Sequence, residues 1–188
     1  RAQAGLRSPR AISTNVNPTN GTGGHYGGAG PFKRADHDAC RAIWRSWQDF
    51  HMSPGNRNNY NDIAYNLGVC HHDVVLEGRS TRTRPRVRGG ANGNATVNYN
   101  RYSIVAIWGA NDGVWPDSLK RAWRYARDWL RQQDSRMGSG ITPHRDMSST
   151  SCPGGPGTSW MRAGAPIPAT RDWFDMASKS DLVNVLRD

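Results

Sequence analysis

Acidic side chains are in short supply. The 188 residues carry 15 Asp and Glu against 25 Lys and Arg, a formal net charge of +10. Such a chain is drawn to polyanions: nucleic acid, anionic lipid or an anionic cell wall. Charge alone does not choose among them. Cysteine is scarce as well, with Cys40, Cys70 and Cys152 far apart. An odd count at wide spacing excludes a disulfide framework and leaves open one Cys40–Cys70 bridge, with Cys152 as the free thiol. Apolar runs are short, none near the roughly 18 to 20 residues of a membrane span, so membrane insertion is not expected. The N-terminus is Arg-, Pro- and Asn-rich without an apolar signal core, and the first residue is Arg1 rather than Met. A processed or trimmed product is therefore expected. What is present is tryptophan, eight of them, within 36% apolar residues, enough for a core and against wholesale disorder.

Residues 1–34 read as irregular, with at most a short strand near His25 in "GTGGHYGG". "RADHDACRAIWRSWQDFHM" predicts a helix. Ala39, Ile43, Trp47 and Phe50 are its inner face, Asp36 or Asp38 its cap, His37 is exposed in its first turn, and His51 sits at its C-terminus as a protonated imidazole against the dipole. "DIAYNLGVC" and "VVLEGR" read as strands around the turn "HHD". Residues 79–101 read as one long loop. An extended segment there would set Arg82, Arg84, Arg86 and Arg88 on one side, available to carboxylates or anionic wall polymers. "YSIVAIWG" is a buried strand. "WPDSLKRAWRYARDWLRQQ" is a second helix, with Leu119, Ala122, Trp123, Ala126 and Leu130 inward and Lys120, Arg124, Arg127 and Arg131 on the opposite face, which reads as solvated or as a contact for an anionic wall polymer. The last segment ends in a short helix with Ser178 and Asp181 at capping-box spacing. Strands mixed with helices give an α/β (mixed α+β) domain around a small central mixed sheet.

The chemistry concentrates in "HRDMSSTSCPGG", residues 144–155. A catalytic zinc takes imidazole and thiolate ligands, typically three, and keeps one position open. His144 and Cys152 supply two ligands from one polar loop. The third must come from His25, His37, His51, His71 or His72, and His25, flanked by glycines, is the most accessible to close approach. "CHHD" at 70–73 is a rival metal cluster, although adjacent histidines on a tight turn point apart. A Cys152–His144 nucleophile pair is the other chemistry the loop allows. No nucleic-acid motif accompanies the charge, so nucleic acid is not expected as a partner.

These residues, in this order, resemble the zinc N-acetylmuramoyl-L-alanine amidases of the type-2 class, which share their fold with peptidoglycan recognition proteins. "HRDMSSTSCPG" is similar to the closing motif GHRD…CPG, and "HYGG" at 25–28 to the first-ligand motif. "NDIAYNLGVCHHDVVLEGR" resembles the DIxYNFLVxxDGxVYEGR segment, "GGAN" at 89–92 stands where GAHT is common, and "YSIVAIWG" resembles the SIGIxFxG strand. The resemblance covers about residues 20–160 and looks most like endolysins of phages that infect actinobacteria. It implies a Zn²⁺ site at His25, His144 and Cys152. Tyr65 matches the tyrosine at the open metal position or the developing oxyanion. Thr150 stands where other members carry lysine or threonine, and Asn92, His51 and Arg79 fall at substrate-contact positions. The implied reaction is cleavage of the amide between N-acetylmuramic acid and L-alanine in peptidoglycan, by a monomer acting at the bacterial cell wall. The alternative is a recognition module that binds without cutting; members lacking the ligand cysteine generally do so, and Cys152 is present. The implied organisation is an irregular segment 1–19, a zinc amidase domain 20–165, and a C-terminal segment 166–188 that begins a linker. One departure stands out: the strand before the first ligand is usually apolar, whereas here it reads "NPTNGTGG", which suggests a distorted edge strand.

Overall fold

A computed structural model describes residues 5–168. The C-terminal helix expected around Ser178 and Asp181 lies outside the described residues. The chain runs β1 (Thr22–Tyr26), α1 (His37–His51), β2 (Leu67–Cys70), β3 (Val74–Glu77), α2 (Ala95–Asn100), β4 (Tyr102–Ala106), α3 (Asp117–Gln133), β5 (Ile141–Pro143) and α4 (Gly154–Arg162). The five strands form one mixed sheet in the order β3-β2-β4-β1-β5. β1 lies parallel to both β4 and β5, β2 is parallel to β4, and β3 alone runs antiparallel, as the hairpin partner of β2.

Alternation along the strands splits the core into two layers, since successive side chains leave opposite faces. Tyr102, Ile104 and Ala106 of β4 join Leu67 and Val69 of β2 under α3, where Leu119, Ala122, Trp123, Ala126 and Leu130 are buried as the helical spacing predicts. Val105 and Ile107 join Cys70 and Leu76 under α1. On α1, however, the buried stripe is Cys40, Trp44 and Gln48. Ala39, Ile43 and Trp47 are half-buried, and Phe50 is 64% exposed. The inner face is thus turned by one residue from the expected one, because Trp44 lies flat on β2. A Cβ at Gly68 would come within 2.8 Å of the Trp44 ring, and the Trp44 indole N–H donates to the Glu77 carbonyl at 3.0 Å. The cap is as expected, with Asp36 accepting from the Ala39 amide at 2.8 Å.

β1 is not an edge strand, and its odd composition has a steric cause. All five of its residues are buried. A side chain at Gly23 would run into Asn92 and Met147, and one at Gly24 into Met161 of α4. Other side chains occupy the space that apolar side chains of β1 would fill.

Three further expectations change. The loop 79–101 is not structureless: it ends in α2, capped by Asn94, whose side chain accepts from the Val97 amide at 3.0 Å. Its arginines do not form one row. A tight turn pairs Thr81 with Arg84, Arg82 reaches Glu77, and Arg88 turns back to the Ala95 carbonyl at 2.6 Å. Arg84 and Arg86 instead border a hollow with Thr14 and Arg136. On α3, Arg127 is buried at 4% exposure, held by Asp128 and by the Ser139 carbonyl, each at 2.7 Å. The segment before residue 20 is irregular yet docked. Arg7 exchanges two hydrogen bonds with Gln48, Arg10 donates to Asn61, and Ser13 accepts from Arg88.

Candidate metal centre

In open sheets with parallel strands, sites form beyond the strands' carboxyl ends. His25 is the fourth residue of β1, and His144 follows directly on the last residue of β5, which pairs with β1. Their rings are therefore brought together by sheet register, with centroids 4.4 Å apart. The loop that follows is stitched back on itself. The Arg145 amide donates to the Cys152 carbonyl at 2.7 Å, and the Cys152 amide donates to Thr150 Oγ1 at 3.2 Å. Arg162 of α4 grips Asp146 with two bonds, at 2.6 and 3.1 Å. Cys152 Sγ thus sits under β1, accepting from the Tyr26 amide at 3.3 Å and lying 3.9 Å from His25 Nδ1. One ligand atom each from His25, His144 and Cys152 falls within 4.8 Å of the others.

The donors are prepared for a soft divalent cation. His25 Nε2 faces Asn92 Oδ1 at 2.8 Å, an amide oxygen that can only accept, so the ring proton is on Nε2 and the Nδ1 lone pair faces the sulfur. A hydrogen bond of this kind on the far nitrogen is the usual way a metal-binding histidine is oriented. His144 Nε2 is buried without a hydrogen-bond partner. Burial, with His144 beside it, pulls the His25 pKa down to about 3 against the Asn92 hydrogen bond, and burial lowers His144 too. Both imidazoles are therefore neutral near pH 7 with lone pairs available. The residues fit zinc: two neutral nitrogens and one sulfur, the donor types and number of an open tetrahedral site. The nucleophile-pair alternative fares worse, since burial pushes the Cys152 thiol up to about 12, whereas a nucleophilic cysteine needs a lowered pKa.

Tyr65 closes one side of the centre, its ring 5.3 Å from that of His25. Burial, then the neighbouring Cys152 and Tyr60, raise its hydroxyl pKa, so it remains a proton donor at any ordinary pH. Asn66 fixes this segment. Its amide oxygen accepts from the Ser103 amide and hydroxyl, and its amide nitrogen donates to Ser80 Oγ and the Val87 carbonyl. From Tyr65 a groove runs past His51, Tyr60, Phe50 and the loop 55–58.

The remaining expected contacts divide. His51 lines the groove, but burial and then Arg79 pull its pKa down to about 4, so it is neutral rather than the expected helix-capping cation; its Nδ1 accepts from the Ala64 amide. Arg79 lies beneath the groove wall, donating to the carbonyls of Ile63 and Arg88 and stacking over Tyr60 at 5.5 Å. Asn92 is fully buried, with its amide nitrogen donating to the Arg101 carbonyl, so it supports His25 rather than reaching into the groove. Thr150 spends its hydroxyl oxygen on the ligand loop. Two participants were not anticipated from the sequence: Tyr60, which bonds the Gly90 carbonyl, and Asn98, which accepts from the Asn92 amide. The only sequence signal for Asn98 is its place in the capped turn after Asn94.

Comparison with solved structures decides the architecture. Wild-type Drosophila PGRP-LB superposes with a TM-score of 0.75 at 21% identity, over 92% of this chain and 96% of that one. The chain has the fold of the peptidoglycan recognition proteins. Drosophila peptidoglycan recognition protein SD matches it with a TM-score of 0.72 at 24% identity, over 86% of this chain and 90% of that one. The ectodomain complex of the peptidoglycan recognition proteins LCa and LCx with bound tracheal cytotoxin matches with a TM-score of 0.72 at 19% identity, over 86% and 92%. No protein-family model and no curated protein matches the chain. Within this peptidoglycan recognition protein fold, the donor triad lies at the ends of β1 and β5 and the groove beside it.

Proposed function

We propose that the protein is a zinc-dependent hydrolase that cuts the amide between N-acetylmuramic acid and L-alanine in peptidoglycan. One observation carries the reading: His25, His144 and Cys152 converge beside Tyr65, which keeps a protonated hydroxyl and also lines the neighbouring groove. Zinc held there would lower the pKa of a bound water toward about 7 and polarise the scissile carbonyl. The chain's own groups divide the remaining work. Asn92 keeps the His25 proton on Nε2 and so its Nδ1 lone pair toward the metal position. Thr150 and Arg145 hold Cys152 in place through the loop backbone and are positioning residues. The Tyr65 hydroxyl donates to the oxygen that gains negative charge as the carbonyl becomes tetrahedral, a donor worth roughly 3 to 4 kcal/mol. The groove past His51 and Tyr60 accommodates the glycan–peptide strand, and the fold shared with proteins named for recognising peptidoglycan supports that substrate.

The setting this reading implies is the bacterial cell wall, with lysis by a phage enzyme as the context that the motifs resemble most. The competing reading is a module of the same fold that binds without cutting. The presence of Cys152 in the donor set favours hydrolysis. Digestion of purified peptidoglycan with and without a chelator, with mass spectrometry of the products, tests the choice. New L-alanine amino termini paired with free muramic lactyl groups, lost on chelation, are expected. Binding to the wall with no such products under zinc saturation sinks the hydrolase reading.

A further inference from the structure

A second group of soft ligands lies where the start of α1 meets the β2–β3 turn. His37 and Cys40 stand three residues apart on α1, and Cys70 ends β2 with His71 and His72 in the turn behind it. Both cysteines are free and fully buried. Cys70 Sγ lies 3.4 Å from His37 Nδ1 and 3.6 Å from His72 Nδ1, and Cys40 Sγ lies 3.6 Å from the same His72 Nδ1. Zinc bound tetrahedrally at about 2.3 Å to sulfur and about 2.05 Å to nitrogen separates neighbouring S and N ligands by about 3.6 Å. Three of the six edges of such a tetrahedron are thus already close to this length: His37, Cys70 and His72 have ligand atoms within 4.8 Å of one another, and Cys40 joins them through His72.

The surroundings hold this geometry from outside. Arg121 of α3 clamps Asp73 in the turn with bonds of 2.8 and 3.2 Å, and Ser118 donates to the His71 carbonyl at 2.7 Å. His71 donates from Nε2 to the Arg34 carbonyl and leaves its buried Nδ1 without a partner beside Cys40 and His72.

We propose that His37, Cys40, Cys70 and His72 form a second, structural zinc site that staples α1 to the β2–β3 hairpin. Two thiolates and two neutral imidazoles neutralise the ion and leave no open position, which distinguishes this site from the first. Binding releases the thiol protons to solvent. The His37 ring shifts its proton from Nδ1 to Nε2, and Arg41, now donating to Nε2 at 3.0 Å, turns to Asp38, which it already touches at 3.4 Å. Because the site joins segments 30 residues apart in sequence, its occupancy adds to fold stability.

The test is metal content of the full chain, purified under reducing conditions with zinc and desalted. Two zinc ions per chain are expected. His25→Ala should keep one, and a further Cys70→Ser or His37→Ala should remove it. Cobalt in His25→Ala should show the thiolate-to-cobalt charge transfer and intense visible bands of a tetrahedral two-sulfur site. A chelator should lower the melting temperature of His25→Ala and leave that of His25→Ala/Cys70→Ser unchanged, which separates metal loss from a folding defect of the variant. A count of one in the wild type that falls to zero in His25→Ala overturns the proposal, as does a Cys40–Cys70 disulfide in protein purified with excess zinc. The result is independent of the hydrolase reading, because its decisive arm is measured in a chain with the first centre disabled.

Discussion

At the scale of single residues, Asn92 and Tyr65 make separable contributions. Asn92→Ala removes the acceptor that fixes the His25 tautomer and leaves a buried N–H unpaired. Zinc affinity at the first centre should fall about 10- to 100-fold, read by competition with a chromophoric chelator. Tyr65→Phe keeps the ring and removes the donor. Metal affinity should hold while the turnover rate falls roughly 10²- to 10³-fold; an unchanged rate would remove Tyr65 from the reaction. His51 makes a pH prediction. Its pKa is about 4 in the folded chain against about 6.5 unfolded. The folded state resists protonation, so its stability is intact above pH 6.5 and declines as pH falls toward 4, by up to about 3 kcal/mol. Thermal melts across that range should show the wild type losing more stability than His51→Gln. The sequence singled out His25, His144 and Cys152 because their chemistry is rare and their order distinctive, and the fold brings these three side chains together. It did not reveal the state of His51, which depends on burial beside Arg79, or the task of Asn92, which depends on a partner 67 residues away.

At the scale of elements, α3 was legible and α1 only partly so. α3 packs evenly on the sheet, so periodicity alone picks its apolar inner residues, while the burial of Arg127 depends on Asp128 and the Ser139 carbonyl. On α1 the choice among several apolar positions is made by the flat surface of Gly68, a feature of another element, which admits Trp44 and turns the helix by one residue. β1 was obscured for a related reason, since its glycines make room for Asn92, Met147 and Met161. The two glycines predict different failures. Gly24→Ala presses on Met161 and should cost about 1 to 3 kcal/mol of stability in denaturant melts, with metal affinity retained. Gly23→Ala presses on Asn92 and should weaken metal binding as Asn92→Ala does.

At the scale of the whole molecule, the mixed sheet was foreseeable in class but not in order. Short strands separated by helices imply a sheet, whereas the central place of β1 rests on pairings with strands that begin 80 and 119 residues later. The positive charge is also a whole-molecule property that only the fold localises, gathering Arg84, Arg86 and Arg136 around one hollow. Replacing Arg84 and Arg86 with Ser should weaken sedimentation with isolated cell walls at low salt. The difference from wild type should vanish near 1 M salt, where screening acts within about 3 Å. Equal binding at low salt would show that the hollow plays no part in wall attachment.

The central position of β1 also bears on synthesis. A chain emerging from the ribosome presents His25 long before either flanking strand exists, and the donor set is complete only once Cys152 has followed. Pairings of such long range form late in folding. A nascent chain that ends before Cys152 therefore has no assembled donor set, and whatever this centre binds meets it only in finished molecules.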